Sequence, residues 1–481
     1  MAEITKEFSD ILVNDLGEAQ GGIRGSKMKI VLKPEEEITP IQVYTARQVP
    51  LHYHKAYKKL MKELLSAGVI SVEDEPTKWT SRAHFVPKPG TTESGDIKLR
   101  LVTDYRELNR AVLRPTHPFP SAPDLMRRIN PTSRFFAKLD AVHGYFQIAL
   151  DEPSSKLTTF ILPCGRYRYN VAPMGLKSSS DEFCFRTDQA LGDLLNDWLL
   201  KIVDDMLIQA PTKELLFDRL NVVLERCRAA GIKLSKKKLA MGQSIKFAGF
   251  VVSATGVKPD PDKVAAIAKF PAPRNITEVR SFLGLVNQLG AFIPDLSAMT
   301  PTIRSLLKKN NAFVWLPQHQ AEFEVAKQHL CSPMVVQPFD VNLQTELLTD
   351  ASRLHGLGFA LLQREPNGKH RMIHCGSCSL TPCQTRYATI ELECLAIVWA
   401  IEKCSYYLKG CPNFKVITDH KPLVGTFSKP LLDLDNARIH RFREKVIEYH
   451  FDVVWTCSAM TWRSSRRRGA GGRRVDSTLA E

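Results

Sequence analysis

Residues 202–208 read Ile-Val-Asp-Asp-Met-Leu-Ile, two adjacent aspartates inside a short apolar block that begins at Lys201. An apolar run of this length, bounded by polar sequence, suits a buried strand. Successive side chains on a strand point to opposite faces, so Asp204 and Asp205 can serve one site only where a hairpin bend breaks the alternation. A polar turn with both charges in water is the competing reading. A second stretch, Arg134–Leu139, is also strand-like and ends on a third aspartate, Asp140. Phosphoryl transfer by two divalent ions about 3.5–4 Å apart needs hard oxygen ligands gathered at strand ends, and three aspartates so placed could supply them.

Outward from this centre the chain reads as several domains. On the N-terminal side Tyr57, Leu60, Met61, Leu64 and Leu65 recur on one helical face, with Gly68 closing the helix. Strands are expected around Ala83–Val86 and Lys98–Thr103. Between them PKPGTTESGD reads as an exposed loop, able to close over an anionic substrate. Beyond Gly249, Asp260-Pro261 opens a helix that should stop near Pro271, and a second helix is expected over Thr277–Phe292. From residue 343 a hairpin over 346–362, a helix over 389–408 and a strand over Phe414–Thr418 argue an α/β domain. That domain holds Asp350, Glu393 and Asp419 at a strand end, a helix first turn and another strand end, which can converge on one point. Taken singly, Glu393 could be a charge favoured near a helix N-terminus, and Asp350 and Asp419 could be turn formers. At the end Arg463, Arg466, Arg467, Arg468, Arg473 and Arg474 crowd among Gly and Ser, a composition that cannot bury apolar surface.

The bulk properties agree with a multidomain, folded chain. With 481 residues, two to four domains are expected at roughly 100–200 residues each. Hydrophobic residues are 44% and charged residues 24%, an ordinary globular balance rather than a disordered one. The formal charge of +15 favours an anionic partner, with nucleic acid the leading candidate. No apolar run approaches the roughly 20 residues needed to span a bilayer, so no membrane partner is expected. Eleven cysteines without a secretory leader suit a reducing, intracellular compartment. Cys375 and Cys378 form a CxxC, but no second pair stands at zinc-site spacing.

The motifs around these carboxylates resemble the reverse transcriptases of gypsy-class long-terminal-repeat retrotransposons and retroviruses. RLVTDYRELN (100–109) is similar to the family's fingers motif, and FFAKLDAVHGYFQI (135–148) to the motif around its first catalytic aspartate. PMGLKSSSDEF (173–183) resembles its template- and primer-contacting loop, IVDDMLI its paired-aspartate hairpin, and FAGFVVSATGVKPDPDKVAAI (247–267) its primer grip and thumb entry. TDAS at 349–352, ELECLAIVWAIEK at 391–403 and FKVITDHKPL at 414–423 resemble the ribonuclease H domain of the same Pol polyproteins. The resemblance implies a mixed α/β and α+β multidomain chain: a right-hand polymerase of fingers, palm and thumb, followed by a ribonuclease H-like α/β domain. After an N-terminal extension (1–23), fingers and palm would span 24–253, thumb and connection 254–340, and the ribonuclease H-like domain 341–457, ahead of a tail at 458–481.

For individual residues the resemblance implies Asp140, Asp204 and Asp205 as palm metal ligands, and Asp350, Glu393 and Asp419 as ribonuclease H ligands, with Glu391 a rival to Glu393. Two Mg2+ ions per site are implied, with Mn2+ as an alternative. Tyr145 matches the aromatic that excludes a ribose 2′-hydroxyl, Arg100 and Lys98 would clamp the triphosphate, and Met174 would line the nucleotide pocket. The partners implied are an RNA template, a DNA primer, an RNA–DNA hybrid and deoxynucleoside triphosphates, in a cytoplasmic particle with access to the nucleus; a homo-oligomer is open. The chain departs from the family's pattern at Ile202, where Tyr or Phe is usual, and at Met174, where Phe or Gln is frequent. Past Thr456 the resemblance stops, so the family's fourth ribonuclease H carboxylate has no counterpart, and Asp476 lies in the arginine-rich tail. A replaced C-terminus is therefore expected, with the nuclease less secure than the polymerase. A decayed or domesticated element that binds nucleic acid without catalysis, or a plain nucleic-acid-binding protein, are the alternatives.

Overall fold

The computed structural model describes residues 2–14, 22–88, 97–195, 198–293, 299–308, 311, 313–331 and 335–456. The glycine-rich loop at 89–96, the arginine-rich tail and Asp476 lie outside the described residues. The chain forms two compact units, Met1–Ala248 and Gly249–Glu481.

In the first unit, helix α1 (His54–Ser66) buries Met61 and Leu64, turns its lysines outward, and ends before Gly68 at φ 66°. It precedes β1 (Ile70–Val72), β2 (Ser81–Pro87) and β3 (Leu99–Asp104), which share a sheet with two later strands. Next comes β4 (Phe135–Asp140), followed by β5 (Phe160–Leu162) and β6 (Gly165–Tyr169), which complete that first sheet in the order β1-β6-β5-β2-β3. Helix α2 (Lys177–Leu191) leads to β7 (Leu199–Ile202) and β8 (Asp205–Ala210). Helix α3 (Lys213–Ala230) is capped by the Thr212 side chain and closed by Gly231 in the left-handed region at φ 76°. It buries Leu216, Leu220, Val223, Leu224 and Cys227, an i, i+4, i+7, i+8, i+11 stripe. Strand β9 (Ala240–Gly242) joins a second sheet in the order β9-β4-β8-β7, and α3 packs against β4 and β8.

Residues 2–14, expected to be an extension, are built into this unit. Leu12–Val13 pairs in parallel with Leu234–Ser235, Phe8 is buried, and Arg228 grips both Asp10 carboxylate oxygens at 2.9 Å.

The second unit opens with a hairpin, β10 (Phe250–Ser253) and β11 (Gly256–Pro259). Helix α4 (Pro261–Ala268) starts at the expected Asp-Pro, with the Asp260 side chain accepting from the Asp262 N–H. Helices α5 (Ile276–Gln288) and α6 (Pro317–Leu330) pack through Phe282 and Phe323, whose rings are 4.7 Å apart. Three long strands follow, β12 (Gln344–Ser352), β13 (Gly356–Arg364) and β14 (His370–Cys378). Helix α7 (Thr389–Lys403), β15 (Phe414–Thr418), α8 (Ala437–Glu444) and β16 (Phe451–Trp455) complete a mixed sheet in the order β14-β13-β12-β15-β16. The helix expected over 389–408 is broken at Cys404, and Ser405–Leu408 forms a separate turn that brings Tyr407 and Leu408 into the core. Among the described residues no helix is long and apolar enough to cross a membrane.

Candidate active sites

The paired aspartates lie where the bend argument requires. Strand β7 ends at Ile202 and pairs with Asp205, the first residue of β8, so Val203 and Asp204 form the bend. Val203 sits at φ 53°, a conformation a β-branched side chain tolerates poorly. The neighbouring strand is antiparallel and sets Asp140 directly opposite Asp205, while the Ala141 N–H donates to the Asp204 carbonyl at 3.0 Å. The three aspartates thus lie together at one end of the strands of the second sheet.

Two lysines balance them. Lys238 Nζ is 2.7 Å from Asp140 Oδ1, and Lys138 Nζ is 2.9 Å from Asp205 Oδ1, although that oxygen receives no well-directed hydrogen bond. Burial pushes the Asp140 carboxyl above the usual aspartate range; Lys238 opposes this, and the charges of Asp205 and Asp204 add to it. The Asp204 side chain reaches solvent, yet the protein mass around its carboxyl, with Asp205 beside it, also raises its pKa.

The expected nucleotide-side residues fall into two groups. Tyr145, in a 3-10 turn at Gly144–Gln147, stands edge-on to Phe183 of α2 at 5.9 Å, hydrogen-bonds Ser180 and lies within electrostatic reach of Asp204. Lys98 and Arg100 are exposed around β3, and Met174 is 38% exposed on the loop before α2. Composition and spacing did not single out His143, at φ 48° beside Tyr145. Burial lowers its pKa, and the charges of Lys88, Lys238 and Arg100 lower it further, so these cations lie within electrostatic reach of it. The run Lys236-Lys237-Lys238 was the available signal for part of that charge.

The second cluster is built alike. Asp350 lies near the end of the central strand β12, opposite Gly358, and Asp419 directly follows β15, its parallel neighbour. Helix α7 packs on β12 and carries Glu393, which is 4% exposed and has one carboxylate oxygen without a hydrogen-bond partner. Burial, then the charges of Asp419 and Asp350, push the Glu393 carboxyl up to about 8. The rival Glu391 is fully engaged: it accepts from the Ala388 N–H, from Asn436 Nδ2 and from Arg438 at 2.7 Å. It therefore locks the start of α7 to α8, and only Glu393 is left for the cluster. Trp455 Nε1 donates to the Asp419 carbonyl at 3.2 Å and braces that strand end.

Among the described residues no three His, Cys, Asp or Glu side chains are closed into a metal-ligand group. The donor chemistry nonetheless fits a hard divalent cation in both places: carboxylate oxygens only, with Asp205 Oδ1 and Glu393 Oε2 not taken up by directed hydrogen bonds. Cys375 is buried and Cys378 half-buried on β14, neither in a disulfide.

Fold and carboxylate placement define a polymerase-type palm in the first unit and a ribonuclease H-type sheet in the second. Comparison with known proteins agrees. Residues 86–252 match the family described as reverse transcriptase (RNA-dependent DNA polymerase), and residues 340–449 the RNase H-like domain found in reverse transcriptase. The chain is 32% identical over 433 residues to the retrovirus-related Pol polyprotein from transposon gypsy of Drosophila melanogaster, covering 84% of this chain and 40% of that protein. It is 28% identical over 456 residues to the transposon Tf2-3 polyprotein of Schizosaccharomyces pombe, covering 94% of this chain and 33% of that one. The chain thus spans between a third and two fifths of these relatives. The foamy viral protease–reverse transcriptase structure dRH, in complex with double-stranded DNA, superposes with a TM-score of 0.80 at 18% identity, covering 95% of this chain and 78% of that one. The foamy viral protein in complex with RNA/DNA hybrid gives 0.75 at 18% identity, covering 100% and 62%. The chain carries a reverse transcriptase domain and an RNase H-like domain, and over most of its length it is similar to retrotransposon Pol polyproteins.

Proposed function

We propose that the first unit extends a DNA primer on an RNA or DNA template, and that the second hydrolyses the RNA strand of the resulting hybrid. The observation that carries the reading is the placement of Asp140 opposite Asp205 with Asp204 at the bend. These three would hold two Mg2+ ions, and Asp350, Glu393 and Asp419 would hold the ions of the second site. Bound metal would supply Lewis-acid stabilisation of the charge that develops on the phosphate in transfer. The protein's own part is positional. Arg100 and Lys98 would neutralise the incoming triphosphate, the arginine through its planar fork. Lys88 and Lys238, whose charges with that of Arg100 act on His143, would add to this positive charge. The Tyr145 ring, fixed by Phe183 and Ser180, would leave no room for a ribose 2′-hydroxyl and so select deoxynucleotides. The foamy viral neighbours, one bound to double-stranded DNA and another to RNA/DNA hybrid, support these partners. The free cysteines suit action in the cytoplasm.

Primer extension on an RNA template with Mg2+ and deoxynucleotides tests this directly, comparing the protein with Asp204→Asn. Extension is expected from the first and none from the second. A folded preparation that binds template–primer but never extends it would overturn the polymerase reading in favour of a decayed element.

A further inference from the structure

A lysine inside the palm has no role in the reading above. Lys201 lies on β7, three residues before Asp204, and only 7% of it is exposed. Its Nζ donates to Thr187 Oγ1 at 2.7 Å and stands 2.7 Å from Asp188 Oδ1, a close ion pair rather than a directed hydrogen bond. The other Asp188 oxygen meets His117 Nε2 at 2.7 Å. One helical turn or more earlier on the same helix, Asp181 is held by Arg114 at 2.7 and 3.1 Å and by the His117 N–H. Helix α2 is therefore tied on one side to residues 114–117 and on another to the strand that leads into the paired aspartates. The same helix carries Phe183 and Ser180, which fix the Tyr145 ring.

Burying an ammonium is costly even when it is paired, and a buried ion pair replaced as a whole by apolar side chains is often as stable or more so. Lys201 is flanked by buried Leu199 and Leu200 and by apolar Ile202, so the core itself does not require a charge there. What the charge adds is direction: it fixes the height of β7 along α2 to within hydrogen-bond tolerance, which apolar contact does not. We propose that Lys201 is a positioning residue for the polymerase site, using Thr187 and Asp188 to set the paired-aspartate hairpin at a fixed offset from the Tyr145 ring. This rests on the polymerase reading. Nucleotide choice then depends on Lys201, because the sugar must fit between the ring and the carboxylates at once.

The test is Lys201→Met, with Thr187→Val as a milder variant that keeps the charge but removes the directed hydrogen bond. Thermal melting is recorded first, and the steady-state rate and the preference for deoxy- over ribonucleotides are then measured on one template–primer. A displacement of the hairpin by a fraction of an ångström to about 1 Å should lower kcat by roughly ten- to a hundredfold. Lys201→Met should melt lower, because Asp188 loses a buried partner, and Thr187→Val should melt almost as the unaltered protein does. In both the preference for deoxynucleotides should shrink, and Lys201→Arg should restore part of it. Thr187→Val should shift the preference in the same direction by less. A kcat loss in Lys201→Met and Thr187→Val with the preference intact would reduce Lys201 to a packing residue and overturn the inference. Wild-type kcat and preference in both variants would overturn it as well. Failure of the unaltered protein to extend any primer is a separate result, and it strikes the polymerase reading. If Lys201→Met does not fold, Thr187→Val decides alone.

Discussion

At the scale of single residues, Glu391 and Glu393 show how two like side chains two positions apart acquire opposite roles. Glu391 receives donors on both oxygens, and the Arg438 guanidinium also lies 4.0 Å from the Tyr387 ring centre. Glu393 faces Asp350 and Asp419 with one oxygen unpaired, and its pKa is pushed to about 8. Between the ordinary value of 4.5 and about 8 the folded protein keeps a proton that the unfolded chain has released. Stability from this group is therefore full at pH below 4.5 and is lost as pH rises through about 8. Glu393→Gln removes the charge, so without metal it should melt higher than the unaltered protein at pH 8, by something on the order of 2–5 kcal/mol, and should match it near pH 4. Mg2+ should raise the melting of the unaltered protein and leave the variant unmoved. Glu391→Ala should do the reverse of Glu393→Gln, losing about 2–4 kcal/mol by leaving Arg438 and a helix N-terminus without their acceptor. Melting curves of the two variants across pH check both signs, and a stabilising Glu391→Ala would show the assignment to be inverted.

At the scale of elements, legibility followed the range of the interactions. Strand β4 was readable from a short apolar run, whereas the adjacent acids alone left a polar turn open and the hairpin β7–β8 was read from the resemblance of IVDDMLI to the family's motif. The stop of α7 was not readable: the apolar pattern continues past Lys403, and only packing of Tyr407 and Leu408 in the core turns the chain at Cys404. The N-terminal segment was missed for a stronger reason. A six-residue helix and a two-residue strand carry no period, and they gain structure by pairing with Leu234–Ser235, more than 200 positions away. Lys138, Lys201 and Lys238 were hidden in the same way, since a lysine on a strand reads as solvated until its partner is seen. Where this distant pairing meets α3 it can be tested. Gly231 ends α3 at φ 76°, and a Cβ there would lie 2.0 Å from the Gly22 carbonyl oxygen. Gly231→Ala should therefore cost about 3 kcal/mol or more, from a strained left-handed conformation plus displacement of the segment at Gly22–Arg24. Denaturant unfolding would measure it, and a loss below about 1 kcal/mol would mean that the segment yields freely.

At the scale of the whole molecule, one chain with a net charge of +15 carries two acidic clusters built from different strands, in units with separate apolar cores. The first core runs from Ile4 to Leu239 and surrounds the sheet that bears Asp140 and Asp205. The second runs from Leu347 to Val446 and supports β12, β15 and α7. Basic surface serves any polyanion, so the nucleic acids proposed above would be drawn by one overall field, while each carboxylate cluster is set by its own sheet. Substitutions at distant sites without shared partners usually act independently. Asp204→Asn should therefore abolish extension while leaving hydrolysis of an RNA–DNA hybrid at the unaltered rate, and Asp419→Asn should do the opposite. Isosteric amides keep the fold in both cases, so each loss reports on charge at one cluster. Extension and hydrolysis measured on the same preparations decide the point. Loss of both activities in either variant would mean that the two clusters depend on one another. A hydrolysis rate unchanged by Asp419→Asn would remove that residue from the second site and leave the proposed nuclease without its ligand from the end of β15.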